Sequence, residues 1–415
     1  MMTSFELIAL LITVTALAGY VNHRFVRLPN AVGLMALALG LSLGMVILGK
    51  IGVFDAEQVR GLISRIDFSN ILMHGMLSFL LFAGALHVNL TELRKVRTAV
   101  AILATGGVVV TVLITGSLIW LAAGWLGMGL SYYYALLFGA LIAPTDPIAV
   151  LGILKNAKVS RRLYVKIGGE SMFNDGTGVA VFVILLGMAT AAHEPNLIDI
   201  GVLLGREVLG GLALGFLTGW LTYRLINSID EYKIEVLLTL ALVTGGYALA
   251  ETVHVSAPIA MVVAGLVVGN HGRMQGMSET TRERLDVFWE MLDEILNAIL
   301  FMMMGLQMIV IAMSWNALAL GMLAILAALL GRYLSVAALI NMMRLWQPFD
   351  RGTITLLTWG GLRGGISIAL ALSLPNGPEK DLILAITYIV VVFSIMVQGT
   401  TFGRVIRWAT APKVK

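Results

Sequence analysis

The sequence predicts an all-α protein that crosses a membrane many times. Three observations carry this. Of the 415 residues, 59% are hydrophobic and 13% charged, about half the charged fraction of an ordinary soluble domain. The apolar residues gather in runs of about 20, the length a helix needs to span a bilayer. The basic residues collect in the short links between those runs. A net charge of +4 distributed in that way points to membrane orientation rather than to nucleic acid. Gly is abundant at 45 and Pro modest at 9, a balance suited to helices that pack closely or break. Cys is absent, which excludes disulfides, thiolate metal sites and cysteine nucleophiles.

Thirteen segments read as spans: 4–21, 31–49, 70–88, 98–123, 131–154, 165–192, 199–223, 235–251, 255–269, 288–313, 316–342, 352–374 and 381–403. The ninth is short, and merging it with its neighbour would give twelve. Met1 to Leu11 carries Glu6 and no Lys or Arg, so the first segment reads as a retained helix rather than a cleaved leader. Of 28 basic residues, twenty fall in alternate loops on one side, from Arg24 and Arg27 to Arg404 and Arg407. Lys50, Arg60, Arg65 and Lys380 fall on the other. The alternation argues for thirteen spans, the N-terminus outside and the C-terminus in the cytoplasm of a bacterial-type inner membrane. An odd count places spans 8–13 in the opposite sense to spans 1–6, the inverted-repeat arrangement of many transporters.

Helix breakers recur in the fifth and twelfth spans, which correspond between the two halves. The fifth holds Ala143-Pro144-Thr145-Asp146-Pro147, where two prolines remove two backbone donors. The twelfth holds Gly360-Gly361-Leu362-Arg363-Gly364-Gly365. Paired interruptions of this kind point to a midplane binding site. Asp146 would face half-helix N-termini and Arg363 half-helix C-termini, each offsetting a partial charge. The plainer alternative is a pair of structural kinks with both charges merely neutralised.

The sixth span contains Glu170, Ser171, Asn174 and Asp175. A carboxylate at such depth costs roughly 2.5–3.5 kcal/mol on insertion scales and by default marks an ion or proton pathway. Residues four apart share a helical face, so the four line one stripe of oxygen ligands. Thr145 would complete the shell from the broken fifth span. Hard cations take such oxygen donors, and nothing here resembles a nitrogen or sulfur site. Arg332, deep in the eleventh span, needs a counter-ion and is paired here with Glu170. Asp175 is then left to titrate, and competition between a cation and a proton for its carboxylate is the simplest exchange mechanism. The alternative makes both acids structural salt bridges to Arg332 and Arg363.

Glu170–Phe182 (Glu-Ser-Met-Phe-Asn-Asp-Gly-Thr-Gly-Val-Ala-Val-Phe) resembles the sixth-helix signature of NhaP-type sodium/proton antiporters. These form the electroneutral branch of the monovalent cation:proton antiporters. Ala-Pro-Thr-Asp-Pro-Ile-Ala-Val (143–150) and Gly-Gly-Leu-Arg-Gly-Gly-Ile-Ser-Ile-Ala-Leu (360–370) resemble its fifth- and twelfth-helix motifs, in family order and spacing.

The resemblance implies a thirteen-helix homodimer in which the fifth and twelfth helices unwind and cross. A six-helix transport bundle, 98–192 with 316–407, would move as an elevator against a dimerisation scaffold of 1–97 and 199–313. Asp175 would carry the ion and the proton. Asn174 would be the branch-defining partner, since electrogenic relatives have a second Asp there. Ser171 and Thr145 would be ligands, Glu170 would pair with Arg332, and Asp146 and Arg363 would stabilise the crossing. The implied cargo is Na⁺ or Li⁺ against H⁺, one for one, with no cofactor. K⁺/H⁺ exchange on the same site is the nearest alternative and a cation channel a further one. An intramembrane enzyme is disfavoured by the lack of Cys, of paired His and of a Ser/His or Asp/Asp arrangement across spans.

One departure stands out. Some relatives carry an additional acid in the third helix, where this chain reads Phe79-Leu80-Leu81-Phe82-Ala83-Gly84-Ala85-Leu86. Three further features carry expectations. Gly211, Gly215 and Gly219 form a stripe that permits close helix approach, inside the protein in preference to a dimer contact. His74 and His87 flank the third span as ordinary interfacial histidines, with pH sensing as the alternative. Met302-Met303-Met304 would face lipid or pack, and Ser278–Arg284 would form an amphipathic cytoplasmic helix leading into the tenth span.

Overall fold

A computed structural model describes residues 4–51, 61, 67–146, 148–155, 159–190, 197–272, 277–311 and 313–410. Pro147 and the basic residues Arg60, Arg65, Lys158, Arg273, Lys413 and Lys415 lie outside them. The chain is built from α1 (Ser4–Val21), α2 (Asn30–Lys50), α3 (Leu77–Leu86), α4 (Leu90–Ala104) and α5 (Gly106–Trp125). Next come α6 (Tyr132–Ile142), α7 (Ile148–Lys155), α8 (Arg161–Thr190), α9 (Leu197–Ile226), α10 (Tyr232–Thr252) and α11 (Ala257–Val267). The remainder is α12 (Glu279–Leu306), α13 (Trp315–Met343), α14 (Thr353–Trp359), α15 (Gly365–Leu372), α16 (Pro378–Phe393) and α17 (Thr400–Thr410).

Every one of the thirteen expected segments falls on helix. Ten helices among the described residues are long and apolar enough to cross a membrane. The other three segments are those the sequence marks as irregular. The fifth is split into α6 and α7, the twelfth into α14 and α15, and the ninth is the short α11. The helices start where short polar side chains accept otherwise orphaned backbone N–H groups. Ser131 caps α6, Asn89 caps α4, Ser256 caps α11 and Ser314 caps α13.

The helices pack as two compact units. The first comprises 1–72, 110–159 and 297–415. Glycines set its closest approaches: a Cβ at Gly139 would meet the Val112 carbonyl, and one at Gly321 would meet Ile389. The Gly305 carbonyl, near the end of α12, accepts hydrogen bonds from Ser42 Oγ (2.9 Å) and Tyr388 OH (3.3 Å). Met302, Met303 and Met304 are all buried, so this run packs inward rather than facing lipid.

The second unit comprises 73–109 and 160–296. Its aromatic centre is Trp289, fully buried, whose ring lies 4.7 Å from that of Phe82 and whose Nε1 donates to Thr239 Oγ1 at 3.1 Å. The third-helix stretch without an acid is therefore an apolar packing surface. Residues 279–284 form the first turns of α12 itself. His74 pairs with Glu251 at 3.2 Å and His87 with Asp286 at 3.7 Å. The limits of these units, drawn by packing alone, do not coincide with the expected bundle and scaffold segments.

The glycine stripe on α9 lies against α11. Gly211 approaches the Ser256 carbonyl, Gly215 the Ala260 backbone and Gly219 the Ala264 Cα. A side chain at 215 would collide with main chain that cannot rotate away. Gly215→Leu should therefore cost about 1–3 kcal/mol, the usual penalty of overpacking. A melting curve in detergent checks this; an unchanged midpoint would mean that α9 and α11 are not in close contact.

Candidate cation site

Within the first unit, the breaks in the fifth and twelfth spans meet. α6 ends at Ile142, because Pro144 has no N–H to offer the preceding turn. α14 ends at Trp359 and α15 begins at Gly365. Between them the backbone is extended, and the Asp146 N–H donates to the Leu362 carbonyl at 2.8 Å in a one-rung antiparallel bridge. The glycines are required by proximity. A Cβ at Gly364 would stand 2.7 Å from Asp146 Oδ2, and one at Gly361 would stand 3.1 Å from Arg332 Nε and 3.2 Å from Thr145 Cγ2.

Each charged residue of this crossing answers a backbone end. Arg363 Nη1 donates to the carbonyls of Ala143 (2.9 Å) and Pro144 (3.0 Å), just past the C-terminal end of α6. Asp146 lies beside Gly364, the residue that opens α15, where a negative charge complements the helix dipole. Arg332 Nε donates to the Leu357 carbonyl at 3.3 Å, in the last turn of α14. Thr145, Arg332 and Arg363 are all buried.

Two residues at this crossing escaped the sequence reading. Ser394 Oγ accepts the Arg363 backbone N–H at 2.9 Å, and Gln398 Nε2 donates to the Trp359 carbonyl at 3.0 Å. Both sit on a π-helical turn, Ser394–Gly399, between α16 and α17. π-turns inside helices often mark functional positions. The one available signal was a pair of polar side chains four residues apart in an otherwise apolar thirteenth span.

In the second unit, α8 presents Glu170, Ser171, Asn174 and Asp175, each at most 7% exposed. Asn174 Nδ2 donates to Glu170 Oε1 at 2.9 Å. That bond fixes the amide's orientation and directs one carboxylate oxygen of Glu170 along the helix. Small residues let α8 pack tightly: Gly169 lies against Leu93 and Val100 of α4, and Gly176 against Ile259 of α11. The structure thus gathers Thr145, Asp146, Arg332 and Arg363 in one unit, and Glu170, Ser171, Asn174 and Asp175 on one helix of the other.

Buried acids and arginines, two broken helices and long apolar spans together define a polytopic membrane protein of the ion-transporter class. The comparisons make this specific. Residues 11–408 match the family profile described as the transmembrane sodium/hydrogen exchanger. The chain belongs to the sodium/hydrogen exchanger family and is an integral membrane protein. It is 48% identical to the Na(+)/H(+) antiporter NhaP of Pseudomonas aeruginosa over 97% of this chain and 96% of that one. It is 33% identical to the Na(+)/H(+) antiporter NhaH of Halobacillus aidingensis, again over 97% and 96%. Its fold matches the sodium proton antiporter MjNhaP1 of Methanocaldococcus jannaschii with a TM-score of 0.76 at 18% identity, covering 97% of this chain and 98% of that one.

Proposed function

We propose that this protein exchanges Na⁺ (or Li⁺) for H⁺ across the bacterial cytoplasmic membrane, one for one and without net charge movement. The observation that carries this reading is the Asp175 carboxylate, 7% exposed on a 30-residue helix that is apolar enough to span the bilayer. Family membership and the likeness to curated Na(+)/H(+) antiporters support it.

In this reading Asp175 binds either a proton or the cation. Ser171 and Thr145 contribute oxygen ligands, and Asn174 supplies the neutral neighbour that keeps the cycle electroneutral. Glu170 pairs with Arg332, while Asp146 and Arg363 hold the crossing. Thirteen crossings in two inverted repeats, with the N-terminus outside and the C-terminus inside, assemble as a homodimer. The bundle of 98–192 and 316–407 carries the site in an elevator-like movement against 1–97 and 199–313.

The test uses purified protein in liposomes with an acidic interior and a pH-sensitive dye. Na⁺, Li⁺ or K⁺ is added outside in turn, with and without a clamped membrane potential. Na⁺- or Li⁺-driven proton efflux, indifferent to the clamp, is the expected result. Efflux driven by K⁺ alone would reassign the cargo. Cation flux without proton movement would replace exchange by conduction. The Glu170 pairing has its own test: Glu170→Gln and Arg332→Ala should each lower the melting temperature, because each leaves a buried charge unpaired. Wild-type midpoints for both would dissolve the pair.

A further inference from the structure

The link between α1 and α2 forms a basic cleft with no role in the exchange site. The cleft measures about 500 Å³ and is lined by Asn22, His23, Arg24, Arg27, Leu28 and Asn30. Its floor is rigidly built. Asn22 is 2% exposed; its amide donates to the Leu28 carbonyl at 3.0 Å, and its side-chain oxygen accepts the Leu28 N–H at 3.3 Å. The Arg27 N–H closes the turn on the Asn22 carbonyl at 2.6 Å, with Arg27 itself in the left-handed region at φ 59°. A non-glycine residue there is uncommon, and it turns this side chain out of the path of the preceding helix. The two guanidinium groups and the imidazole are exposed, and none forms an ion pair with a carboxylate among the described residues.

The surroundings of the cleft say what kind of anion suits it. α1 offers an apolar surface: Ile12, Leu17, Tyr20 and Val21 are exposed, and Phe25 and Val26 continue it to the edge of the cleft. Arg24 stands over the Phe25 ring at 6.0 Å. A ligand with a phosphate at one end and hydrocarbon at the other would satisfy both surfaces at once. Arg is the side chain best shaped to grip phosphate oxygens, and basic groups beside a span attract anionic headgroups.

We propose that this cleft is a binding site for the phosphate of an anionic phospholipid, whose acyl chains lie along α1. The experiment measures the melting temperature of delipidated, detergent-solubilised protein with phosphatidylglycerol, phosphatidylcholine or inorganic phosphate added. The expected result is a rise of several degrees with phosphatidylglycerol and much less with the other two. The double variant Arg24→Gln/Arg27→Gln should lose most of that rise. Arg404→Gln/Arg407→Gln, a basic pair on α17, should keep it. Equal responses in wild type and the cleft variant would overturn the site. So would equal loss in both variants, which would mean general surface charge. A rise reproduced by inorganic phosphate alone would overturn the lipid assignment. Should the cleft variant melt too early to compare, native mass spectrometry of the wild type, counting retained phosphatidylglycerol against phosphatidylcholine, decides: no preference overturns the proposal.

Discussion

Asp175→Asn is expected to reduce cation-driven proton movement to that of protein-free liposomes, while the purified protein keeps its assembly and its melting behaviour. The substitution preserves shape and one acceptor oxygen but removes the titratable group. If one carboxylate alternately carries a cation and a proton, an amide in its place carries neither. Stability should change little, because an uncharged side chain costs less to bury than a charged one. The measurement is the dye assay in liposomes together with size-exclusion chromatography. Sodium-driven proton movement retained in the variant would remove Asp175 from the centre of the mechanism.

The second large effect is at Arg363. Its guanidinium donates to the Ala143 and Pro144 carbonyls, which have lost their helical partners to the break. Hydrogen bonds from a charged donor contribute about 1.5–3 kcal/mol each, so Arg363→Ala should destabilise the first unit by roughly 3–6 kcal/mol. Arg363→Lys keeps the charge but replaces a planar fork by a point donor, and should fall between alanine and wild type. Thermal melts of the three proteins check the order. A wild-type midpoint for Arg363→Ala would show that the carbonyls are satisfied without it.

The parts of this architecture that depend on local chemistry were legible in the sequence. Runs of apolar residues gave the helices, Pro144 and the glycines at 360–365 gave the two breaks, and a spacing of four put Glu170 and Asn174 on one face. The hydrogen bond between those two follows from that spacing, although the sequence directed attention to Glu170 and Arg332 instead. What stayed hidden depends on tertiary placement. The rung between the breaks uses the Leu362 carbonyl, and a carbonyl leaves no trace in the choice of side chain. Ser394 and Gln398 look like ordinary tolerated polar residues until the crossing is in place beside them. Met302–Met304 shows the same limit, since an apolar run reads alike whether it meets lipid or protein.

The π-turn at Ser394–Gly399 gives the C-terminal end of the chain an unusual sensitivity to length. A π-turn holds one residue more than the α-helical turn it replaces. Deleting a single residue there would let the helix regain regular winding and would rotate all that follows by about 100°. Phe402, fully buried, has its ring against Gly360 at the edge of the break, and Ile406 is buried one turn later. Both would swing away from the interior. Point substitutions along α17 can be absorbed one at a time, whereas a one-codon deletion upstream would displace the whole face at once. Chain length between Arg363's partner Ser394 and the packing residue Phe402 is therefore under tighter constraint than the identity of most residues between them.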